Sequence, residues 1–386
     1  MKNRKIRILI LTADAGYGHR SASNAVAEAL THSHPDEVEV TIENALDHEK
    51  APFFLRDSQS DYDRWIKEVP ELYKLGYDAS DSAIPTRLLE NSLSVLLFEA
   101  IKETCRKHQP DVVLSTYPLY QSAVTLLFRT NKLHTPFFTV VTDLSTVHRL
   151  WFHKNVNGCL VPNQIVANLA LKSQMPKEKI IITGIPVSPN ISREKRNPSE
   201  IRTELGWQNG ITTILAVGSN RTENLMDALN VVNHYGVPLQ LVVVAGGNQE
   251  LYQELKAANW HIPVILYDYV QKMPSLMRAS DLVICKAGGL IVTEALASGL
   301  PMLLTDVIPG QETGNAEFVE DSNTGMVVNT PMDMLVKLNH LLRDDQNLLK
   351  QFHVNALAIG KPDAAFKIAE ILWQSVHKSA ELSDAN

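Results

Sequence analysis

His19 follows the glycine-containing turn Asp14-Ala15-Gly16-Tyr17-Gly18 and opens an alanine-rich stretch over 21–30. A neutral imidazole at the mouth of a helix can take a proton from a hydroxyl. The same side chain could instead cap or pack in the turn. Gly18 lets backbone amides come close to a ligand at a helix N-terminus. Gly16 and Gly18 fit two places of Gly-x-Gly-x-x-Gly, but Ser21 holds the third, so a dinucleotide cofactor is not indicated. A second cluster is Thr142-Asp143-Leu144 with His148, Trp151 and Phe152. Asp143 could be a second general base, could orient His19, or could cap the next segment.

The second half carries groups suited to phosphate and sugar. Gly218-Ser219-Asn220-Arg221 offers amides, a hydroxyl and a guanidinium, or forms a plain turn. Gly246-Gly247-Asn248 is similarly open to both readings. Lys286-Ala287-Gly288-Gly289 ends an apolar run and precedes a helical stretch over 290–298. Exposed amides, a helix dipole and an ammonium together favour a diphosphate. The spacing is not that of a Walker loop. Glu294, five residues past Gly289, could accept two hydrogen bonds from a ribose diol. Pro309-Gly310-Gln311-Glu312-Thr313-Gly314-Asn315 is a short run of donors and acceptors, as sugar hydroxyls require.

These residues need elements to hold them. Strands are expected at 5–11, 37–42, 111–115, 137–141 and 158–161, then at 212–217, 239–245, 264–267, 282–285 and 302–304. Helices are expected at 21–30, 88–107, 223–235 and about 363–376. Strands alternating with helices imply parallel sheets. The 188–209 stretch, with Pro189, Pro198 and a charge cluster, reads as a linker. The class is therefore α/β, with two doubly wound domains and a cleft between them, and ligands outside the carboxyl ends of the strands.

The length of 386 residues suits two domains, and 45% apolar with 20% charged residues is the composition of a packed globular chain. A net charge of −7 argues against nucleic acid as a partner. The charge is uneven: residues 1–200 hold 24 Lys and Arg against 23 Asp and Glu, residues 201–386 hold 12 against 20. Cys105, Cys159 and Cys285 are far apart, which gives no zinc or disulfide spacing and fits a reducing compartment. The basic-then-apolar start has too short an apolar run for a signal peptide, and no stretch is long enough to span a bilayer.

The segment 280–319, SDLVICKAGGLIVTEALASGLPMLLTDVIPGQETGNAEFV, resembles the nucleotide-sugar motif of glycosyltransferase family 28. It is most similar to the branch of monogalactosyldiacylglycerol synthases and processive diacylglycerol glycosyltransferases. AGYGHRSASNAVAEAL at 15–30, TDLSTVHRLWF at 142–152 and TGIPVSP at 183–189 resemble further landmarks of that family. The resemblance runs from about residue 5 to 376. It implies a GT-B fold of two Rossmann-like domains: an acceptor domain over 1–188, a UDP-sugar domain over 189–362, and a helix over 363–386 crossing back to the first. It implies an inverting transfer with no metal cofactor. By position, His19 would be the base, Gly288 and Gly289 would face the diphosphate, and Glu294 the ribose. Gln311 and Glu312 would hold the sugar with Asn315 nearby. Gly218 and Ser219 would form a second phosphate-facing loop, and the backbone at Tyr269 and Val270 would face uracil. The family's usual Lys-Pro-Gly-Gly has Ala287 in place of Pro, and Tyr17 interrupts the usual glycine run before His19.

The resemblance implies transfer of galactose or glucose from UDP-galactose or UDP-glucose to diacylglycerol. The alternatives are an N-acetylglucosaminyltransferase acting on a lipid-linked peptidoglycan precursor and a UDP-sugar epimerase of the same fold. The aromatic-rich stretch 53–77 could lie at a lipid interface or form core. Cations at Lys2, Arg4, Lys5, Arg7, Arg64, Lys67 and Lys74 could meet anionic lipid. The expected location is cytoplasmic, peripheral on the inner face of the cell membrane.

Overall fold

The computed structural model describes residues 4–14, 17–56, 83–220, 222–308 and 312–384. The chain forms two compact units, Met1–Pro189 with Asp363–Asn386, and Asn190–Pro362.

The first unit holds six parallel strands: β1 (Ile6–Thr12), β2 (Val38–Asn44), β3 (Val112–Ser115), β4 (Phe137–Val140), β5 (Gly158–Val161) and β6 (Ile180–Ile182), in the order β2-β1-β3-β4-β5-β6. Successive side chains of a strand point to opposite faces, and a parallel sheet is covered on both. Leu9 and Leu11 accordingly enter one core layer with Val113 and Trp151. Ile8 and Ile10 enter the other with Val26, Leu30, Ile368 and Leu372. The last helix, Ala364–Asp384, returns to pack on the helix Tyr17–Ser33. Its Ala365, Ile368, Ala369 and Leu372 are buried at helical spacing. Each large aliphatic side chain there contributes about 1.5–3 kcal/mol.

The second unit repeats the design with β7 (Thr212–Val217), β8 (Leu239–Val244), β9 (Val264–Tyr267), β10 (Leu282–Lys286), β11 (Met302–Thr305) and β12 (Gly325–Val327). The order is β12-β11-β10-β7-β8-β9, again all parallel. In both sheets the order reverses once, between β1 and β3 and between β7 and β10. Such a switch point leaves a crevice at the carboxyl ends of the two strands.

Three features differ from the sequence reading. The single helix expected over 88–107 is two, Ala83–Leu96 and Phe98–His108, kinked at the fully buried Leu97. The 188–209 stretch contains the boundary between the units, at Pro189, but is not an extended spacer. It folds as the helices Pro189–Arg193 and Pro198–Leu205. Asn197 N–H donates to Glu200 Oε2 at 3.1 Å, Pro198 sits where no amide partner is needed, and Gly206 closes the helix at φ 71°. The buried Arg202 pins it, Nε donating to Ala279 O at 2.7 Å and Nη2 to Asp281 Oδ2 at 2.8 Å. The prolines and charges mark helix starts and an anchor rather than a spacer. The edge strands β6 and β12 have three residues each, too few to show a period.

Candidate functional site

Two groups of residues stand at the two switch points. In the first unit, Asp14 follows β1 by two residues. Arg20 grips it twice, Nε to Oδ1 and Nη2 to Oδ2, both at 2.8 Å, and Asn44 Nδ2 adds a bond of 3.2 Å. The Arg20 guanidinium holds the Asp14 carboxyl below the usual carboxylate range. This clamp fixes the start of the helix Tyr17–Ser33, whose third residue is His19.

Hydroxyls hold His19 from below. Ser23 Oγ donates to its carbonyl at 3.0 Å, and Thr116 Oγ1 lies 3.2 Å from the same oxygen. Thr116 also lies 2.8 Å from Ser23 Oγ and 3.1 Å from Thr12 Oγ1. Tyr120 OH, fully buried, donates toward Thr12 O at 2.9 Å. The imidazole Nδ1 lies 3.0 Å from the hydroxyl of Thr142, which follows β4. The Tyr117 ring meets it edge-on at 5.0 Å, and the Trp151 ring lies 6.0 Å away. Burial pushes the imidazole down to about 4, so it is neutral at ordinary pH. Among the described residues nothing bonds Nε2.

Asp143 is next to this group but is not bonded to His19. Burial pushes its carboxyl up to about 6, opposed by a hydrogen bond from Trp151. Its hydrogen-bond partner is Trp151, which packs near the imidazole. The partner of His19 is Thr142, which the sequence reading passed over in favour of its charged neighbour. The available signal was position, since Thr116 and Thr142 both follow strand ends.

In the second unit, Gly218 follows β7 and Lys286 ends β10, neighbours across the switch point. A Cβ at Gly218 would meet the Leu251 side chain at 2.5 Å and Ala245 O at 3.2 Å, so this glycine is needed for packing. Ser219 Oγ lies 3.0 Å from Thr222 Oγ1, and Ser219 O accepts from Asn248 Nδ2 at 3.2 Å. After β10 the chain passes Ala287 and Gly288 into the helix Gly289–Ala297. Lys286 pairs with Glu312, which is 2% exposed, and Asn315 Nδ2 donates to Ala287 O at 3.0 Å. Glu294 is half-buried in that helix, and burial pushes its carboxyl up to about 7.

Lys286, Ala287, Gly288, Glu312 and Asn315 thus form one cluster. Tyr269, 71% exposed, and Val270 lie past the end of the edge strand β9, with β8 and β7 between them and β10. Gln311 lies outside the described residues, as do Arg221 and Gly16. Asp306, after β11, was not anticipated; its carboxylate accepts from Asn224 N at 3.0 Å and ties two loops of this edge together. Among the described residues no three His, Cys, Asp or Glu side chains are arranged to hold a metal ion.

Comparison with known proteins bears on both units. Residues 19–187 match the family described as "Monogalactosyldiacylglycerol (MGDG) synthase", and residues 213–359 match "Glycosyltransferase family 28 C-terminal domain". A probable monogalactosyldiacylglycerol synthase of Glycine max, named as chloroplastic, is 32% identical over 98% of this chain and 73% of its own length. The chain belongs to the monogalactosyldiacylglycerol synthase family. The synthase of Spinacia oleracea, also named as chloroplastic, is 32% identical over 96% of this chain and 73% of its length. The family's GT-B fold is seen in the crystal structure of MurG from Acinetobacter baumannii. That chain superposes with a TM-score of 0.62 at 15% identity, over 96% of this chain and 100% of the other. A likeness at that identity shows the fold alone. As a member of this glycosyltransferase family the chain has, among its described residues, no helix long and apolar enough to cross a membrane.

Proposed function

We propose that this chain is an inverting galactosyltransferase that moves galactose from UDP-galactose to diacylglycerol. The observation that carries the reading is similarity over nearly the whole chain to proteins named monogalactosyldiacylglycerol synthases. The first unit takes the acceptor and the second holds the nucleotide sugar. His19 is the base. With Nδ1 engaged by Thr142, the free nitrogen Nε2 faces the acceptor hydroxyl and takes its proton as oxygen attacks the anomeric carbon. UDP departs from the opposite face, so an α-linked donor gives a β product. Amides at Gly288 and Gly289 and the dipole of the helix behind them stabilise the charge that develops on the diphosphate. Glu294 accepts from the ribose, and no step is routed through a metal ion.

The lipid side is carried by apolar side chains. Phe53 is 72% exposed, and Phe54, Leu88 and Val95 of the same unit are exposed too. Residues 57–82, with most of the aromatic stretch and Arg64, Lys67 and Lys74, lie outside the described residues, as does Lys2. Arg4 pairs with Asp111, and Arg7 Nη1 donates to Gln109 at the amino end of β1, so both cations have partners within the chain. We place the enzyme peripherally on the membrane that supplies diacylglycerol.

The deciding assay offers UDP-galactose, UDP-glucose or UDP-N-acetylglucosamine with diacylglycerol in vesicles, with and without chelator, and reads lipid products by mass. A monogalactosyl product made equally well with chelator is expected. Product from another sugar alone, or a new UDP-sugar without lipid product, would replace the reading.

A further inference from the structure

By residue type alone, the Lys286 ammonium would serve the diphosphate. Its side chain goes elsewhere. It turns back over Gly288 to reach Glu312, whose side chain is 3% exposed. A Cβ at position 288 would stand 2.8 Å from Lys286 Nζ, 3.2 Å from its Cε and 3.4 Å from Glu312 Oε1. The other carboxylate oxygen, Oε2, accepts from Ile308 N at 3.3 Å. Beside it, Asn315 ties Ala287 O to the helix Thr313–Asp321. A buried carboxylate stays ionised only with a partner, and a buried pair with further hydrogen bonds has one geometry.

We propose that Lys286 is a positioning residue for the donor sugar. Its ammonium, which reaches across Gly288, sets the orientation of the Glu312 carboxylate that receives the hexose hydroxyls. This rests on the reading above, in which the second unit holds UDP-galactose. It parts from that reading at the lysine: the diphosphate is left to the amides, and the lysine acts through Glu312.

The test is calorimetric titration of the full chain with UDP and, separately, UDP-galactose, in wild type, Lys286→Met, Glu312→Gln and the double variant K286M/E312Q. In wild type UDP-galactose should bind more tightly than UDP. In Lys286→Met, UDP affinity should stay within about twofold while UDP-galactose affinity falls about tenfold. The double variant should match Glu312→Gln, because the two residues act as one unit. It also removes both charges, so it stays informative where Lys286→Met unfolds. A tenfold loss of UDP affinity on removing the lysine would overturn the proposal, as would losses that multiply in the double variant, or equal wild-type affinities for UDP and UDP-galactose. Wild-type protein that shows the expected binding split but makes no galactolipid would count against the proposed reaction and leave the role of Lys286 standing.

Discussion

The His19 group and the Lys286 group occupy the same place in their respective sheets, yet the His19 imidazole is held by neutral groups and Lys286 by a charge pair. His19 is held by the hydroxyls of Ser23, Thr116 and Thr142 and flanked by the Tyr117 and Trp151 rings. No ion pair touches its imidazole among the described residues, and burial alone pushes it down to about 4. Around Lys286, a buried ion pair and an amide-to-carbonyl bond join two loops, and glycine 288 makes room for the lysine. The difference follows from the proposed tasks. A base must start neutral, and burial among neutral partners keeps it so. A site that must arrange a polar sugar gains from a carboxylate locked in one orientation.

The largest expected effect tests the neutral site. His19→Ala should lower kcat by about 10²–10⁴-fold with UDP affinity unchanged. A full-rate variant would remove the base from the first unit and dissolve the contrast. Next is the charge pair. Lys286→Met leaves a buried carboxylate alone and should destabilise the second unit by about 3–5 kcal/mol, read as a lower urea midpoint, with Glu312→Gln restoring part of the loss. Smaller is Thr142→Val, which should cut kcat about 3–10-fold while leaving KM for UDP-galactose in place, because one neutral hydrogen bond is at stake. Asp143→Asn is the control; an effect larger than that of Thr142→Val would return the orienting role to the carboxylate. The mildest test is pH. The Glu294 carboxyl ionises near 7, and ribose hydroxyls donate to the ionised form. Binding then draws the proton off, so UDP affinity should rise with pH up to about 7 and level above it. In Glu294→Gln that difference should vanish. In the same assay kcat should hold well below the ordinary imidazole range and fall only as pH nears 4.

Much of this was legible residue by residue. The strands Gly158–Val161, Thr212–Val217 and Val264–Tyr267 appear as apolar runs of the right length and exist with those bounds. His19, Gly288, Glu294 and Asn315 were singled out as candidates in the loops after strands or in the helices that those loops open, where ligand loops belong. The linker reading of 188–209 held the boundary between the units but missed its helices, because prolines and charges are ambiguous: Pro198 starts a helix, and Arg202 is charged yet buried against Ala279 and Asp281. Thr142 was missed because a hydroxyl bears no charge and becomes informative only when its neighbour in space is known.

Composition and pattern by themselves determined an α/β chain with parallel sheets and put candidate site residues after strands, while the resemblance of its motifs to known sequences indicated the family. These are local properties, written in periods of two and 3.6 and in short motifs. Tertiary structure alone decided the partners. The pairing of β7 with β10 brings the Gly218 loop beside Lys286, and a contact across 123 residues makes Thr142 the group that fixes the imidazole. Lys286 and Glu312 are 26 residues apart, and only folding makes them a pair. The physical reason is that a strand's sequence shows its buried faces but not its neighbour, and the neighbour decides which side chains meet at the carboxyl edge.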